Sequence, residues 1–112
     1  MPQVIIELAP SVKASEQAVL TAVNQALDDS GVFRLSDIKS RLYRPEFCLV
    51  GDGTMPQGFV YVKVAIMAGR SDEIKANLAE CVMTALKNLL SADNPDIQYG
   101  VEVVDLAGYL KG

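Results

Sequence analysis

The sequence predicts a two-layer α/β (α+β) fold, in which two βαβ units form one four-stranded mixed sheet with two helices on one face. Three observations predict it. Two β-branched runs, at 4–8 and 59–66, are each followed by apolar residues at helical spacing and then by a further strand-like run. The two halves, about 1–44 and 58–105, align at an offset of roughly 55–60 residues, the mark of an internal duplication. The 112 residues also suit one domain of common size, so 1–112 is expected to be a single domain.

Val4-Ile5-Ile6-Glu7-Leu8 reads as the first strand, stopped by Pro10 and Ser11. A helix is expected from about Ser15 to Ser30, because Val19, Ala22, Val23, Ala26 and Leu27 fall on one stripe. Gly31 is placed to end it in a left-handed conformation. The second strand is expected over 36–44. Ile38, Ser40 and Leu42 then share one face, and Lys39, Arg41 and Tyr43 the other. Pro45–Gly58 carries three glycines and two prolines and reads as loop, with room for an edge strand at Phe47–Val50. Phe59–Ile66 is the strongest strand, with Val60, Val62, Val64 and Ile66 on one face. Ser71 is expected to cap the second helix, with Asp72 and Glu73 in its first turn, where negative charge meets unpaired backbone amides. The apolar stripe of that helix reads as Ile74, Leu78, Cys81, Val82, Ala85 and Leu89. Gln98–Val104 is the last strand, and Gly108-Tyr109-Leu110 a short tail.

Right-handed crossovers in two βαβ units set antiparallel to each other place both helices on one side of the sheet. The opposite face then has no cover within the chain. Strands 4–8 and 59–66 read as apolar on both sides, and strands of that kind are normally buried on both. A bare face of this kind would exceed the apolar patch that a monomer usually shows. The expectation is therefore a homo-oligomer whose subunits cover one another's sheets; the alternative is a monomer of the same βαββαβ order.

Composition narrows the function. Hydrophobic residues make up 50% of the chain and mean hydropathy is +0.21. No apolar run approaches the ~18 residues of a membrane span, and no secretory leader is recognisable, so a cytoplasmic protein without membrane association is expected. A net charge of −4 argues against a nucleic-acid partner, which calls for a phosphate-neutralising surface. Cys48 and Cys81 read as free thiols, with Cys81 expected in the core. Histidine is absent, which excludes Ser–His and Cys–His nucleophile pairs and any His-ligated zinc site.

Three features carry chemistry. Pro2 follows Met1 directly, so removal of Met1 leaves a secondary amine at the head of the first strand. Such a group acts as a base near neutral pH when burial and neighbouring cations lower its proton affinity. Arg34, Lys39, Arg41 and Arg44 cluster in an otherwise acidic chain. Lys39 and Arg41, two apart on a strand, face the same way and can bind a carboxylate, although a charged edge strand has the same appearance. Arg70 lies between Gly69 and Ser71 at the end of the strongest strand, where anions meet helix N-termini. It reads equally as an exposed turn residue.

Pro2 opening a strand, the duplicated βαβ unit, Gly31-Val32-Phe33 leading into Ile38-Lys39-Ser40-Arg41, and Ala68-Gly69-Arg70-Ser71 together resemble the tautomerase superfamily. The resemblance is strongest to its 5-carboxymethyl-2-hydroxymuconate isomerase family. It implies a tautomerase-like fold assembled as a trimer, with Pro2 as general base or acid. It also implies Arg70, Lys39 and Arg41 as binders of a small anionic substrate, with no metal and no cofactor. The implied reaction moves a proton and a double bond in an unsaturated hydroxy- or keto-dicarboxylic acid of aromatic-compound (homoprotocatechuate) degradation. Lys39 departs from the arginine of the family's Arg-Ser-Arg pattern; lysine keeps the charge and loses the planar fork. The alternatives are another keto–enol tautomerase, of the phenylpyruvate type, and a trimeric binding protein without catalysis.

Overall fold

The structure, a computed structural model, describes residues 1–112. Strand β1 (Gln3–Leu8) leads to helix α1 (Glu16–Asp29), and a 3-10 turn (Leu35–Asp37) precedes β2 (Lys39–Tyr43). Strand β3 (Phe59–Ile66), helix α2 (Asp72–Leu90) and β4 (Gln98–Asp105) repeat the unit. The sheet order is β2-β1-β3-β4. Each half is a parallel pair, β1 with β2 and β3 with β4, and the halves join through the antiparallel pair β1–β3.

Strand pleating explains the core. Val4, Ile6 and Leu8 of β1 and Val60, Val62, Val64 and Ile66 of β3 point to the helix side and are buried. They meet Val19, Val23 and Leu27 of α1 and Leu78, Val82, Leu86 and Leu90 of α2 in a single cluster. Ser15 and Ser71 cap the helices, their side chains accepting from the backbone N–H of Ala18 and Ile74. Gly31 has φ +77°, the left-handed turn expected after α1. No helix is long and apolar enough to cross a membrane.

Four local expectations are corrected. β2 starts at Lys39 rather than 36, because residues 35–37 coil into the 3-10 turn, whose amides at Asp37 and Ile38 bond the carbonyls of Arg34 and Leu35. Phe47–Val50 is not a strand. The Gln57 side chain satisfies both backbone groups of Val50, accepting from its N–H at 2.8 Å and donating to its carbonyl at 3.1 Å, so no strand partner is required. In α2 the buried residues recur every four positions, and Cys81 and Leu89 are exposed. Two leucine registers compete in this helix, and the sheet selects the one through Leu86 and Leu90. Finally, the central strands are not apolar on both faces. The open face interleaves Glu7, Lys63 and Glu102 with Ile5, Ala65 and Val104. A surface of that mixture favours a specific partner and tolerates water.

Two polar clamps secure the end of the sheet where β1 runs into α1. Arg44 donates to the carbonyls of Ala9, Val12 and Ala14 at 2.9–3.0 Å and pairs with Glu16 at 3.1 Å. This cation of the 34–44 cluster is thereby spent on holding a loop. Asn94, only 7% exposed, accepts from the Lys13 N–H at 2.8 Å and donates to the carbonyls of Lys13 and Leu90, both at 2.9 Å. It joins the loop before α1 to the loop before β4. Asn94→Ala leaves the part-buried N–H and carbonyl of Lys13 without their partner, while the Leu90 carbonyl keeps the backbone N–H of residue 94, and is expected to cost about 1–3 kcal/mol. Chemical denaturation checks this, and an unchanged midpoint would contradict it.

Candidate active site

Strand registers bring three chain segments to one end of the sheet. Gln3 pairs with Lys39 on one side and with Ala65 on the other, so the start of β1 lies between the start of β2 and the end of β3. Pro2, one residue before β1, is buried. Its carbonyl accepts from the backbone N–H of Lys39 at 3.2 Å, which extends the parallel ladder to the N-terminus.

β3 leaves the sheet through a turn in which Gly69 takes φ +113°, a backbone conformation suited to glycine. The turn delivers Arg70 to the surface immediately before α2. The Arg70 guanidinium lies 5.6 Å from the centroid of the Phe33 ring, within reach of a cation–π contact. Phe33 comes from the segment between α1 and β2, so one contact joins the two halves of the duplication. The first backbone N–H groups of α2 open at this end, adding a partial positive charge.

Pro2, Lys39 and Arg70 therefore all belong to this end of the sheet. Lys39 is exposed, and its Nζ lies 2.9 Å from the Met1 sulfur and 3.3 Å from the Asp37 carbonyl. Arg41 lies two residues along β2 on the same, open face. Its Nη1 donates to Gln3 Oε1 at 2.6 Å and to the Lys39 carbonyl at 3.1 Å. Ser40 points the other way, to Asn24 of α1. In this arrangement Lys39 and Arg41 are directed at different partners.

Two residues that the sequence reading passed over also reach this region. Gln3 bonds both Arg41 and, through Nε2 at 3.0 Å, the hydroxyl of Tyr109 in the C-terminal tail. Gly108, at φ +57°, makes the turn that folds the tail back. No local pattern could have revealed a contact between residues 106 positions apart.

The groups with displaced proton affinity lie elsewhere. A hydrogen bond to Glu102 holds the Tyr61 phenol above its ordinary value, with burial adding to the effect. Burial raises that of Tyr99, whose hydroxyl has no partner. Hydrogen bonds from Thr54 lower that of Asp52 in the 45–58 loop. A groove of about 620 Å³ also lies elsewhere, on the outer side of the two helices, where Ala22, Ala26, Cys81 and Ala85 line it. It lacks convergent cations, and Pro2 is not part of it.

A model of the 5-carboxymethyl-2-hydroxymuconate isomerase family matches residues 2–105. The 5-carboxymethyl-2-hydroxymuconate Delta-isomerase of Escherichia coli is 28% identical over 94 residues, which cover 82% of this chain and 75% of the relative. Among solved structures, a 5-carboxymethyl-2-hydroxymuconate isomerase from Deinococcus radiodurans R1 superposes with a TM-score of 0.88 at 22% identity, over 99% of this chain and 88% of that one. A fused 4-OT described as a symmetric trimer superposes with a TM-score of 0.69 at 19% identity, over 97% and 94%. At these identities the structural likeness speaks for the fold.

Proposed function

The chain belongs to the 5-carboxymethyl-2-hydroxymuconate isomerase family, and from that premise we propose that it is a cofactor-independent isomerase of an unsaturated hydroxy- or keto-dicarboxylic acid. The observation that carries the reading is the meeting of Pro2, Lys39 and Arg70 at one end of the sheet, within the span that matches the family.

Removal of Met1 frees the Pro2 nitrogen, which is otherwise a tertiary amide with no basic lone pair. Arg70 binds one substrate carboxylate, and Lys39 or Arg41, on the open face, the other. The free amine takes a proton from the hydroxyl or an allylic carbon of the bound dienol and returns it at another carbon. The electrons of the broken bond pass along the conjugated system, so the double bond shifts while atoms and charge balance. Positive charge at the site orients the acid, stabilises the developing dienolate and favours the neutral form of the amine. Lysine at position 39 gives a charged contact without a bidentate fork, which favours a smaller or more mobile acid group there.

The protein is further proposed to work as a homotrimer whose subunits cover one another's open sheet faces and leave the end at Pro2 at the subunit boundary, in cytoplasmic breakdown of aromatic compounds. The fused 4-OT trimer supports the assembly by analogy of fold. Initial rates on 5-carboxymethyl-2-hydroxymuconate and on the enol of phenylpyruvate test the function. The dicarboxylate is expected to turn over faster. A faster aromatic monocarboxylate would indicate the phenylpyruvate-type activity, and turnover of neither a non-catalytic binding protein.

A further inference from the structure

The hydrogen-bond polarity at Gln3 has a consequence for the C-terminal tail, which lies beyond the matched residues 2–105. An arginine can only donate, so the Gln3 group facing Arg41 must be the carbonyl oxygen. The amide nitrogen of Gln3 therefore faces Tyr109, and the Tyr109 oxygen must accept. That leaves the phenolic hydrogen free to donate, and it has no acceptor within the molecule. Arg41 likewise spends only Nη1, on Gln3 and the Lys39 carbonyl. Its Nη2 and Nε hydrogens remain unspent.

We propose that Arg41 and Tyr109, held by the two ends of the Gln3 amide, form a second carboxylate subsite at the end of the open sheet face. The free O–H and the free guanidinium edge are both donors, and an anion with two acceptor oxygens satisfies them together. Gln3 is a positioning residue: it fixes the direction of both donors and touches no substrate itself. Tyr109 is a specificity residue, selecting acids with a second carboxylate. The inference rests on the proposed reading in taking Arg41 as a carboxylate partner, and it adds the tail to the binding machinery.

Calorimetric titration of the full chain with trans,trans-muconate and with sorbate, the same six-carbon trans,trans diene with a methyl group in place of one carboxylate, tests the subsite without requiring turnover. Muconate is expected to bind about tenfold more tightly than sorbate, as a hydrogen bond to a charged group allows. Tyr109→Phe, which removes only the hydroxyl, is expected to erase most of that preference and leave sorbate affinity unchanged. Gln3→Glu is expected to do the same, because its carboxylate would claim both the Arg41 guanidinium and the Tyr109 hydrogen. No muconate preference in the parent protein, an unchanged ratio in Tyr109→Phe, or an equal fall for both acids would overturn the proposal. The proton-shuttle reading fails separately: full turnover in Pro2→Ala would remove it and leave the binding ratio untouched.

Discussion

Pro2→Ala is expected to lower kcat by about 10²–10⁴, the usual contribution of a positioned general base. The variant keeps an N-terminal amine once Met1 is removed, so the loss measures placement more than the presence of a base. The pyrrolidine ring fixes φ, and with it the direction of the lone pair relative to the strand. Pro2 is buried, and its carbonyl is tied to the Lys39 amide. An alanine in its place retains that bond and gains rotation about the terminal N–Cα bond. KM is expected to move much less than kcat, because no carboxylate contact is lost. Turnover close to that of the parent, measured on matched Met1-free protein, would contradict the assignment.

Arg70→Ala is expected to raise KM by roughly 10–100-fold, the range of a hydrogen bond to a charged group. The side chain is exposed and held by the Phe33 ring alone, so folding stability is expected to change little. That combination, poor binding with an intact fold, separates a substrate contact from a structural cation such as Arg44. Arg70→Lys is expected to recover part of the affinity, since charge returns without the planar fork. Steady-state kinetics with the dicarboxylic dienol give both values. An unchanged KM in Arg70→Ala would remove this residue from the site.

Much of the architecture was readable because local and tertiary demands coincide. Val60, Val62, Val64 and Ile66 alternate in sequence and all point into one core, so β3 was placed at its observed ends. Ser71 could be read as a cap because capping depends only on the next three residues. Cys81 shows where that reasoning stops. Periodicity established that α2 is amphipathic but could not choose between neighbouring leucine registers, a choice made by sheet contacts. Val50 failed for a related reason, since a glutamine seven positions away supplies what a partner strand would have supplied.

The same limit applies at the candidate site. Pro2, Lys39 and Arg70 stood out by residue type and by their places at strand ends. The partners that orient them did not. Phe33 meets Arg70 from the other half of the duplication, and Tyr109 meets Gln3 across nearly the whole chain. Arg34, Lys39, Arg41 and Arg44 looked like one cationic cluster, yet strand alternation and a loop of free carbonyls direct Arg44 away to a structural role.

The most direct measurement joins an intact mass of native protein to an NMR titration of the terminal nitrogen. The mass is expected to lack one methionine, and the imino group to shed its proton at or below neutral pH under the pull of nearby guanidinium and ammonium charge. Retention of Met1, or a nitrogen still protonated far into alkaline solution, would contradict proline-based isomerisation.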